Sequence, residues 1–168
     1  MFPQPADFTE IRGSSRLFLQ FPNTSLGKTL KSMNFNEIVK KEMLPILASR
    51  GYFLAEELQG SVRFESKTVS LLFAQERNSV EGVNLYIGRK FDQGKVEFID
   101  FAYFAQLIFR RSQAKVQVNL KSLRDVVEYY RSILEANPEI LAGDKDFFNA
   151  VEEIYEMDVE QYNRKFRS

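Results

Sequence analysis

Residues Ser61–Phe91 read SVRFESKTVSLLFAQERNSVEGVNLYIGRKF. Val62/Phe64, Val69/Leu71/Phe73 and Val83/Leu85/Ile87 each recur at every second position. That period places alternate side chains on one face of an extended chain. Ser66-Lys67 and Asn78-Ser79 separate the runs, and such residues favour turns. Connections this short permit only antiparallel neighbours, because a parallel crossover needs a dozen or more residues. YFLAEEL at 52–58, closed by Gly60, precedes this stretch, and KVEF at 95–98 follows Asp92-Gln93-Gly94. The pattern predicts a meander of about four to five strands.

Helical spacing takes over on both sides. Phe35, Ile38, Val39, Met43, Ile46 and Leu47 form one stripe, with Asn34 and Glu37 placed for reciprocal capping and Gly51 as a stop. Pro45 lies inside this stripe and predicts a kink or a restart. After the strands, DFAYFAQLIFRR offers Asp100 as a cap and ends in two arginines, which suit a helix C-terminus. Asn119 is placed to cap LKSLRDVVEYYRSILEA, Asn137-Pro138 ends that helix, Gly143 closes a turn, and Asp144 is placed to cap the last helix. The sequence therefore predicts an α+β domain, an antiparallel meander sheet with helices packed on one face. Residues 33–168 are expected to form it. Residues 1–32 hold three of the five prolines and carry four cations against two acids, and read as a poorly ordered or arm-like segment. Met33 is a candidate for the true start.

Composition narrows the chemistry. The chain has no histidine and no cysteine, so it lacks a thiol nucleophile, cysteine zinc ligands and the usual proton shuttle near neutral pH. No cofactor or metal is implied, and enzymatic function is not expected. Lys plus Arg and Asp plus Glu both number 23, so net charge supplies no overall pull toward nucleic acid. The longest mostly apolar run, Phe98–Phe109, is interrupted by Asp100 and Gln106 and is too short to span a bilayer. A soluble, cytoplasmic protein is expected, with a homodimer through 98–109 as an open possibility.

Three candidate sites emerge. DFFNAVEEIYEMDVEQY, Asp146–Tyr162, sets Glu152, Glu156 and Glu160 four residues apart beside Glu153. Like charges at that spacing repel, so a recognition face for a basic protein is the functional reading. Arg89, Lys90, Arg110 and Arg111, near Tyr86 and Phe91, are the alternative: a patch for single-stranded nucleic acid. The third is Gly27-Lys28-Thr29, preceded by Pro22 where a phosphate-binding loop has glycine, which would mark a nucleotide-dependent enzyme. Proline removes an N–H and fixes φ, so that match is degenerate. Glu56 and Glu57 are adjacent on a strand and point to opposite faces, so they read as solvated charge rather than as a catalytic pair.

NFNEIVKKEMLPILASRGYFL, residues 34–54, resembles the openings of small uncharacterised bacterial α+β domains, some of them similar to immunity proteins of toxin–immunity systems. The resemblance implies a single binding module that neutralises or regulates a partner. It maps no functional residue onto this chain.

Overall fold

The computed structural model describes residues 34–76, 82–91, 95–112 and 120–166. Helix α1 (Phe35–Ala48) leads into strands β1 (Phe53–Leu58), β2 (Ser61–Glu65), β3 (Val69–Gln75), β4 (Val83–Lys90) and β5 (Val96–Asp100). Helices α2 (Phe101–Ser112), α3 (Leu123–Ala136), α4 (Pro138–Ala142) and α5 (Lys145–Phe166) follow. The strands form one antiparallel sheet in sequence order, β1-β2-β3-β4-β5. The chain is thus α+β with a five-stranded meander.

Register explains the core. Val62 aligns with Phe73, and Phe73 with Leu85. Phe64, Leu71, Ile87 and Ile99 align across four strands in the same way. These side chains are buried and share one face of the sheet. Tyr130 of α3 meets Phe73 edge-on at 6.3 Å and Phe101 at 4.9 Å. Phe104 of α2 stacks on Phe147 and meets Phe148 edge-on, which ties α2 to α5. Each fully buried aromatic of this kind contributes about 1.5–3 kcal/mol relative to exposure.

Local signals decide where the elements begin and end. The Asn36 N–H donates to Asn34 Oδ1, and the Asn34 N–H donates to Glu37 Oε2, completing the capping box of α1. The Ala102 N–H donates to Asp100 Oδ1, and the Phe147 N–H to Asp144 Oδ1, so both aspartates start helices as the sequence predicts. Gly51 (φ 77°) ends α1 and Gly143 (φ 71°) ends α4 in the left-handed conformation. Two expectations need correction. Helix α1 runs unbroken through Pro45 to Ala48, so no restart occurs there. Ser122 caps α3, and Asn119 lies outside the described residues. Asn137-Pro138 ends α3 as expected and also starts a further short helix, α4, since proline fits the first helical position.

The opposite face of the sheet aligns Arg63 with Leu72, Tyr86 and Asp100, and Glu65 with Ser70, Gly88 and Phe98. A Cβ on Gly88 would stand 2.4 Å from Val96 Cγ1 and 3.1 Å from Phe98 Cδ1. Glycine therefore lets its β5 neighbours lie over the β4 backbone. Gly88→Ala is expected to cost about 1–3 kcal/mol by overpacking, read as a lower urea midpoint at unchanged slope.

Candidate functional site

The 22 residues of α5 divide lengthwise. Phe147, Phe148, Val151 and Ile154 are buried in the common core, while Glu153, Glu156, Met157 and Glu160 are exposed. These four occupy positions i, i+3, i+4 and i+7, adjacent places on one helical face. Met157 is 59% exposed, an apolar side chain bordered by three carboxylates. Farther along, residues 160–165 are all exposed, so the last turns of α5 reach past the packed body.

The four predicted glutamates do not share one environment. Glu152 sits half-buried on the flank of the helix, where Arg89 Nη2 donates to Glu152 Oε1 at 3.3 Å. Burial pushes its carboxyl above the ordinary range, and the positive Arg89 opposes that rise. Arg89 Nη1 also donates to Asn149 Oδ1, so this cluster anchors α5 to β4. Glu160 is 3.5 Å from Arg164, a weak, exposed pair on the same helix. Glu153 and Glu156 face solvent without an ion-pair partner among the described residues. The outward surface is therefore Glu153, Glu156 and Glu160 around Met157, with Glu152 turned to a structural task. Met157 was detectable from its position off the Phe147–Val151–Ile154 stripe.

The members of the basic alternative do not all lie on one side of the sheet. Arg89 points to the helix-covered face, and its guanidinium also stands 6.0 Å from the Phe148 ring. Lys90 follows it in the strand and therefore points to the opposite face, where its ammonium binds Glu65 and the Ser66 carbonyl. Arg110 and Arg111 are exposed at the end of α2, with Arg111 over the Phe147 ring at 4.9 Å. The sheet thus separates members of this set.

Glu56 and Glu57 also part as predicted. Glu56 aligns with Arg63, whereas Glu57 accepts from Lys40 and Asn36 beside α1. Among the described residues no group of His, Cys, Asp or Glu could hold a metal ion. No helix there is long and apolar enough to cross a membrane. No large apolar side chain of 98–109 is fully exposed, and Phe98 and Phe109 are half-buried. Residues 1–33, including Gly27-Lys28-Thr29, lie outside the described residues.

No family model matches the chain, and no curated protein or solved structure shows significant similarity to it.

Proposed function

We propose that this chain is a non-enzymatic protein-binding module that presents the outer face of α5 to a basic surface on a partner. One observation carries the reading: Glu153, Glu156 and Glu160 surround the exposed Met157 on a helix whose other side is committed to the core. Like-charged neighbours at helical spacing each cost about 0.2–0.5 kcal/mol. Stability does not favour keeping Glu153 and Glu156 side by side, whereas a cationic partner would turn the cost into attraction. Such a field speeds encounter and repels wrong partners, and the methionine adds adaptable apolar contact. The resemblance of residues 34–54 to immunity-type domains agrees with a neutralising or regulatory role.

Glu153→Lys with Glu156→Lys should weaken capture of a basic partner by about tenfold or more, with the thermal midpoint little changed. Wild-type binding should also fall steeply with added salt. The check is affinity capture from lysate at low ionic strength, followed by titration of the captured protein. Equal affinity of the variant would overturn the proposal. Oligonucleotide binding lost in Arg110→Glu with Arg111→Glu would establish the nucleic-acid reading instead.

A further inference from the structure

Three of the large apolar side chains left exposed among the described residues stand on one short strand. They are Phe53 (56%), Leu54 (38%) and Leu58 (50%), all on β1. This strand pairs only with β2, so its other edge is free among the described strands. A free edge offers a row of N–H and C=O groups to any extended chain. The register is irregular between Leu54 and Glu56. That irregularity brings Phe53, Glu56 and Leu58, aligned with Glu65, Arg63 and Ser61, to the sheet face opposite the helices.

The charges select among occupants. A second copy pairing antiparallel through this edge with Glu56 near the two-fold axis would set that carboxylate against its own equivalent, and like charges there are unfavourable, whereas Glu57 is already paired with Lys40. A cation on a different chain meets the opposite situation. Glu56 is 3.7 Å from Arg63 Nε, beyond hydrogen-bond distance, and that buried nitrogen has no hydrogen-bond partner. The Glu56 carboxylate is thus held only loosely within the domain. We propose that the free edge of β1 accepts an extended segment of another polypeptide that carries a lysine or arginine between two apolar residues, which becomes a sixth strand. Backbone hydrogen bonds supply affinity in this mode, and the alternating side chains supply selectivity. The strand lies across β2 and β3 from the β4 contact of α5, so this surface stands or falls independently of the acidic helix face.

The test is an amide NMR titration of the full chain with the synthetic peptide Thr-Val-Thr-Lys-Thr-Val-Thr. Saturable shifts centred on β1 are expected, with affinity reduced about tenfold in Glu56→Lys and recovered when the peptide lysine becomes glutamate. Phe53→Asp should weaken binding without altering shifts beyond β1 and β2. No saturable shift at millimolar peptide, shifts on other elements, or equal affinity of Glu56→Lys would each overturn the proposal. So would β1 amides already protected without peptide, whether through concentration-dependent self-association or through contact with residues 1–33.

Discussion

Phe104→Ala is expected to destabilise the domain by about 3–5 kcal/mol, the range for truncating a buried phenylalanine. Phe104 is fully buried, and its ring lies 6.4 Å from Phe147 in a stacked arrangement and 5.4 Å from Phe148 edge-on. Truncation removes both ring contacts and leaves a cavity where α2 meets α5. Domains of this size hold only about 5–15 kcal/mol in total, so the loss is a large share of it. Urea unfolding gives the magnitude. Because the same rings seat α5, amide exchange should accelerate in α5 more than in β2 and β3. A cost below about 1 kcal/mol would mean that the core does not depend on this junction.

Arg131→Leu should cost about 3 kcal/mol, whereas Glu42→Leu should stay within about 1 kcal/mol of wild type. The asymmetry follows from burial. Glu42 has only 6% of its side chain exposed and accepts from Arg131 at 2.8 Å, with Arg124 at 2.9 Å. The arginines are 37% and 53% exposed and return to water when the carboxylate is removed. Loss of Arg131 leaves a buried charge with one exposed partner, while loss of Glu42 leaves cations that are readily solvated. Paired denaturation curves decide the matter, and Arg131→Leu with Glu42→Leu should recover most of the stability. Similar costs for the two single variants would refute this account of the α1–α3 contact.

Local rules carried much of the fold. Period-two runs located the strands, and the side chains of Asn34, Asp100 and Asp144 marked helix starts, because each signal acts within a few residues. Residues distant in sequence escaped those rules. Ser70 and Leu72 looked outward by alternation, yet both are buried on the sheet face opposite the helices. The candidate surface was legible as an acidic helix face, but its membership was not. Glu152 and Arg89, assigned by sequence to rival sites, bind each other across 63 positions. A charge pattern read along one segment says nothing about the counter-ion another segment delivers. The meander order placed β1 at a sheet edge, but FLAEEL alone does not reveal that Phe53, Leu54 and Leu58 stay exposed there.

The order of the strands bears on how quickly the native state is reached. Every strand pairs with its sequence neighbour, so each ladder closes a short loop at small entropic cost. Such a sheet can assemble hairpin by hairpin. The bond from Arg131 to Glu42 spans 89 positions, and the Tyr52 hydroxyl reaches the Leu141 carbonyl over the same separation. Those long closures gain most once the intervening strands have shortened the effective chain. The short-range contacts of this fold therefore lie in the sheet ladders, and these two long-range bonds are made by helices α1, α3 and α4 and the residue just before β1.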